Sequence, residues 1–129
     1  MSNLIIHETK STPGIYFDTL TNTLQIKGQS YPENAFAFYQ PVFDWVNEFL
    51  DELNNSTIIE IQLAFPYINT SSTKCLMVLL DRFDQAFQEG KQIRINWYVN
   101  EENENELECA EEFKEDLSLP FEIIVRGEE

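Results

Sequence analysis

Four hydroxyl side chains stand in a row at Thr70, Ser71, Ser72 and Thr73, within the stretch "FPYINTSSTKCLMVLLDRF" that runs from Phe65 to Phe83. An apolar run ends just before them and a helical pattern begins just after. At such a junction the free backbone N–H groups and the helix dipole favour negative charge. A phosphate ester formed on one of these hydroxyls would find donors there that mid-helix backbone cannot offer. From Ile61 to Leu80 there is no acidic residue, although Asp and Glu supply 23 of the 129 residues. A phosphate carrying roughly −1.5 to −2 charges would meet less repulsion along this stretch than almost anywhere else in the sequence. Position alone still favours an ordinary cap, since Asn, Ser and Thr each stabilise a helix start by about 1 kcal/mol. Ser71 and Ser72 would then only fill the first turn.

Elsewhere the residue types offer less. The single histidine, His7, lies in an expected first strand beside Ile5 and Ile6, where an edge or core role is commoner than general-base work. Cys75 and Cys109 fall in expected helices and match no metal-ligand spacing. Lys74 could lower the Cys75 pKa, but two small thiols in a reducing cytosol are the ordinary case. There is no P-loop, no G-x-G-x-x-G and no H-E-x-x-H, and four glycines leave little for a phosphate cradle. Glu111 and Glu115 share a helical spacing that reads as a solvated face. The run "NEENENELE" lacks the regular oxygen spacing and turn glycine of a calcium loop. Neither intrinsic catalysis nor a metal or cofactor is expected.

The formal net charge is −15, from 23 acidic and 8 basic residues. Nucleic acid and anionic membrane would repel such a surface, so protein partners with basic patches are expected. The start "MSNLIIHETK" has no basic segment followed by an apolar one, and no run reaches the length of a membrane span. A cytoplasmic protein without membrane insertion is expected.

The elements that would position the hydroxyl run are legible from periodicity. "NLIIHETK" and "GIYFDTLTNTLQIKG" read as short strands, with "TLTN" a turn. Phe38, Val42, Trp45, Val46, Phe49, Leu50 and Leu53 form the stripe of an amphipathic helix. Asn34 can cap it, but Pro41 removes an interior hydrogen bond, so the helix either starts near Phe38 or starts at Asn34 and kinks. "STIIEIQLAFPYI" reads as a central strand ending near Pro66. A second helix presents Leu76, Leu79, Leu80, Phe83 and Phe87 and ends at Gly90. "KQIRINWYV" alternates as a strand, and Leu107, Ala110, Phe113 and Leu117 mark a third helix broken by Pro120. "FEIIV" closes as a strand. The order β-β-β-α-β-α-β-α-β predicts one α/β domain over residues 1–129, with a mostly parallel sheet extended by an antiparallel N-terminal hairpin.

Four motifs now stand in order: "STPGIYFD", "GQSYPENAFAFY", "YINTSST" and "AEEFKEDLSLPFEI". Together, from about Ser11 to Ile123, they resemble the SiaC-type regulatory phosphoproteins, with "SYPEN" and "NTSS" as the more specific pair. The resemblance implies a fold similar to STAS domains and anti-sigma-factor antagonists, and a non-enzymatic partner switch. It implies phosphorylation on the threonine of N-T-S-S by a dedicated Ser/Thr kinase, and dephosphorylation by a PP2C-type phosphatase. The unmodified form would bind and activate a diguanylate cyclase, raising cyclic di-GMP and promoting biofilm. That threonine falls on Thr70, flanked by Asn69, Ser71 and Ser72 as phosphosite neighbours or partner contacts. The alternative is a constitutive STAS-like module that binds protein or a small molecule and in which Thr70 is only a helix cap.

Overall fold

The computed structural model describes residues 1–127; Glu128 and Glu129, the end of the expected domain, lie outside the described residues. The chain forms β1 (Leu4–Ile6), β2 (Gly14–Asp18), β3 (Thr23–Lys27), α1 (Ala35–Glu52), β4 (Ile58–Ala64), α2 (Thr70–Gln88), β5 (Gln92–Asn100), α3 (Glu104–Glu115) and β6 (Phe121–Arg126). This is the expected order. All six strands join one sheet whose spatial order is also the chain order. β1, β2 and β3 pair antiparallel, whereas β3 to β6 pair parallel through the three helical crossovers. The turn Thr19–Asn22 closes the β2–β3 hairpin, with Asn22 in the left-handed region at φ 55° that asparagine tolerates.

Alternation within the strands sorts the sheet into a wet and a dry face. Ile15, Phe17, Leu24, Ile26, Ile59, Ile61, Leu63, Ile93, Ile95, Trp97 and Val99 face the helices and are buried. On the other face Tyr16, Gln25, Gln62, Asn96 and Glu122 lie side by side across five strands, only partly covered or exposed. The molecule is therefore a two-layer sandwich, helices on one side and a solvated polar sheet on the other. The core holds the inward faces of all three helices. Large side chains such as Phe83 and Trp97, each 1% exposed, contribute on the order of 2 kcal/mol apiece by burial.

The start of α1 is settled at Ala35. Asn34 is its N-cap and accepts from the Ala37 nitrogen at 3.1 Å. Pro41 lies inside the helix, and it and Ala37 are both exposed, so water can serve the carbonyl that the proline leaves without a donor. α2 ends as expected: Gly90 takes φ +113°, and its neighbours close the last turn through Gly90 N to Phe87 O and Lys91 N to Ala86 O. The third helix is shorter than its apolar pattern predicts. It stops at Glu115, with Asp116 as C-cap and Leu117 beyond it. The cause lies in α2, where the carboxylate of buried Asp84 accepts from the nitrogens of Ser118 and Leu119 at 2.9 and 2.8 Å. Those bonds draw the backbone out of the helical path before Pro120 is reached.

Candidate functional site

β4 leaves the sheet at Ala64, buries Phe65, and turns at Pro66 and Tyr67 into α2. Asn69 is the N-cap, in extended backbone, and its side chain accepts from the Ser72 nitrogen at 2.8 Å. The Asn69 carbonyl takes both the Thr73 nitrogen and the Thr73 hydroxyl at 2.9 Å. Thr70 is the first helical residue and is exposed, as is Ser71. Among the described residues, neither the Thr70 hydroxyl nor the Thr70 and Ser71 backbone N–H groups have a hydrogen-bond partner. The notion that Thr70 serves only as a cap is corrected here. The cap is Asn69, because its oxygen sits one residue earlier in extended backbone, where it reaches the N–H three residues on.

Four adjacent hydroxyls thus occupy four environments. Thr70 and Ser71 face solvent, Ser72 is 0% exposed, and Thr73 is half-buried and tied to the preceding turn. Ser72 is held by Ser30, which comes from "GQSYPEN" in the β3–α1 loop and donates to the Ser72 hydroxyl at 2.8 Å. Ser30 also lies 2.7 Å from the Tyr39 phenol of α1. Its backbone grips the strand-to-helix turn as well, through Ser30 N to Tyr67 O at 2.8 Å and Asn69 N to Ser30 O at 2.9 Å. Next to this, the rings of Tyr31 and Tyr67 meet edge to face with centroids 5.8 Å apart. Sequence reasoning missed this contact; its signal was the pairing of the two motifs.

Of the exposed residues from Pro66 to Val78 only Lys74 is charged, and several are apolar. Tyr67 is 53% exposed, and Met77 and Val78, two turns along α2, are 43% and 59% exposed. The first turn of α2 carries no acid. The acid-free stretch is less isolated in space than in sequence, however. Asn103 donates to the Pro66 carbonyl at 3.3 Å, which sets the acidic start of α3 against the loop before Thr70.

The remaining chemistry-bearing groups lie apart from this site. His7 is exposed just past β1. The Cys75 thiol is buried and pushed up by that burial, the ordinary small thiol that the sequence reading favoured over activation by Lys74. Burial, with Glu112 and Glu106 nearby, raises the Cys109 thiol to about 11. Among the described residues no group of three or more His, Cys, Asp or Glu could hold a metal ion, and no helix is long and apolar enough to cross a membrane. A cavity of about 880 Å³ lies on the polar sheet face, lined by residues including Gln25, Lys27, Gln62, Tyr98, Asn103 and Arg126. The Arg126 guanidinium covers the Tyr98 ring there at 3.8 Å. None of the hydroxyl-run residues lines it.

Comparison with known proteins adds a lineage to this geometry. A family model described as SiaC family regulatory phosphoprotein matches residues 6–126. An uncharacterized protein of Pseudomonas aeruginosa (strain UCBPP-PA14) is 41% identical over 128 residues, covering 99% of this chain and 100% of that one. The crystal structure of apo-SiaC from Pseudomonas aeruginosa is similar at TM-score 0.90 and 40% identity, covering 96% of this chain and 99% of that one. A chain in the crystal structure of the diguanylate cyclase SiaD in complex with its activator SiaC, also from Pseudomonas aeruginosa, is similar at TM-score 0.90 and 40% identity. That match covers 95% of this chain and 99% of that one.

Proposed function

Because the chain belongs to the SiaC family of regulatory phosphoproteins, we propose that it is a non-enzymatic partner switch whose phosphoacceptor is Thr70. The unmodified protein binds and activates a diguanylate cyclase in the cytoplasm. A dedicated Ser/Thr kinase phosphorylates Thr70 and ends that binding, and a PP2C-type phosphatase restores it. The observation that carries the reading is the state of Thr70 itself: exposed, first in α2, and relieved of capping by Asn69. The free Thr70 and Ser71 N–H groups and the α2 dipole would stabilise the added phosphate in place. A partner burying the surface of Tyr67, Met77 and Val78 would have to strip water from a doubly charged group. That is strongly unfavourable unless the partner answers with Arg or Lys. The switch is then local and needs no change of fold. The cyclase partnership is supported by the similarity to the SiaC chain that accompanies SiaD.

The test has two arms. Intact mass and peptide mapping of protein isolated from its own cells should place a phosphate on Thr70. The cognate cyclase should be retained by wild type and by Thr70→Ala, and lost with Thr70→Asp. A Thr70 that is never modified, together with a Thr70→Asp variant that binds like wild type, would sink the reading.

A further inference from the structure

The geometry points to Ser30 as a positioning residue for the switch, presenting Thr70 through a buried chain of hydroxyls that runs Tyr39–Ser30–Ser72. This role rests on the reading of Thr70 as the phosphoacceptor. Ser30, Tyr39 and Ser72 are each 0% exposed, so none of them can turn to water for a partner. A hydroxyl has one proton to give. Ser30 gives its proton to Ser72 at 2.8 Å, and therefore accepts from the Tyr39 phenol at 2.7 Å. The chain joins three elements: the β3–α1 loop, α1, and the first turn of α2. It bridges 42 positions of sequence, which gives a physical reason for "SYPEN" and "NTSS" to occur together.

The position of the chain is more telling than its existence. Ser72 is two residues from Thr70, and its backbone nitrogen is the one that Asn69 caps. The Ser30 backbone holds the residues on the other side, Tyr67 and Asn69, in a short parallel bridge opposite Ile68. Thr70 and Ser71 are thus the free outer edge of a turn fixed from beneath at Ser72 and from behind at Asn69. A kinase needs its acceptor hydroxyl held within a narrow range of positions, and displacements of about 1 Å cost rate steeply. Ser72, being buried and bonded, is no acceptor at all. The same latch therefore restricts modification to the outer hydroxyls.

Buried hydroxyls are costly to orphan but nearly neutral to remove in pairs, and this gives the role a signature beyond ordinary destabilisation. The variants are Ser30→Ala, Ser72→Ala and the double variant Ser30→Ala/Ser72→Ala, with Tyr39→Phe as a fourth. Two readouts are taken on the full chain: amide hydrogen exchange resolved at Asn69–Thr73, and kcat and KM of the cognate kinase at Thr70. Ser30→Ala should speed exchange at Ser72 and Thr73 by tenfold or more beyond any global change. It should lower kcat about fivefold to tenfold with KM little altered. The double variant should be no worse than Ser30→Ala alone. Unchanged local exchange in Ser30→Ala, or strictly additive losses in the double variant, would overturn the latch. If Ser30→Ala fails to fold, Tyr39→Phe, which keeps the ring, carries the exchange test with the same expected direction. If wild type is never phosphorylated at Thr70, the phosphoacceptor reading falls, while the exchange arm still decides whether the hydroxyl chain fixes the turn.

Discussion

Asn69 holds the start of α2 with its side-chain oxygen 2.8 Å from the Ser72 nitrogen, which leaves the Thr70 hydroxyl uncommitted. The two neighbours should therefore respond in opposite ways to truncation. Asn69→Ala removes a cap and should cost about 1 kcal/mol in urea unfolding. Thr70→Ala removes an exposed group with no bond and should stay within about 0.5 kcal/mol, yet it should abolish phosphorylation. A threonine that capped would show the reverse ranking for stability. The candidate acceptor was nominated by motif resemblance and by the strand-to-helix junction. The division of labour was not, because Asn, Thr and Ser are all competent caps and only backbone conformation chooses among them. The burial of Ser72 was equally hidden, since its partner Ser30 is 42 residues away.

At the level of elements, periodicity carried most of the reading and failed where a long-range bond intervened. The stripes of α1 and α2 and the alternation in β5 bury most of the residues that the pattern names, while Phe38, Leu53 and Phe87 are only partly buried. Leu117 fits the α3 stripe equally well but lies past its end, because Asp84 on α2 captures the backbone of Ser118 and Leu119. The same carboxylate also receives Gln88 Nε2 at 2.9 Å and the Ser118 hydroxyl at 3.0 Å. Asp84 is thus the staple between α2 and the segment that feeds β6. Asp84→Ala leaves two buried or part-buried N–H groups without an acceptor and should cost about 3 kcal/mol. Asp84→Asn keeps one good acceptor and should cost roughly half of that. Both changes should appear as a lower urea midpoint with little change in slope.

Over the whole molecule, charge and layering set the terms of association. A net charge of −15 on 129 residues selects partners with complementary positive surface. Association with the proposed cyclase partner should then slow several-fold between roughly 50 and 300 mM salt, with dissociation changing less. Stopped-flow mixing checks this, and a salt-independent association rate would remove long-range attraction from the account. The net charge was plain in the sequence. That the acidic start of α3 lies against Pro66 was not, because it brings together residues 37 positions apart in the chain. The order of the sheet has one more consequence. Every strand pairs with the strand made just before it, from β1 through to β6. During synthesis each new strand meets a finished edge as it emerges, and no strand need wait for a later one to be inserted between its neighbours. Such a chain can be laid down from its N-terminus like courses of brick, with little unpaired apolar sheet exposed at any moment while the ribosome is still at work.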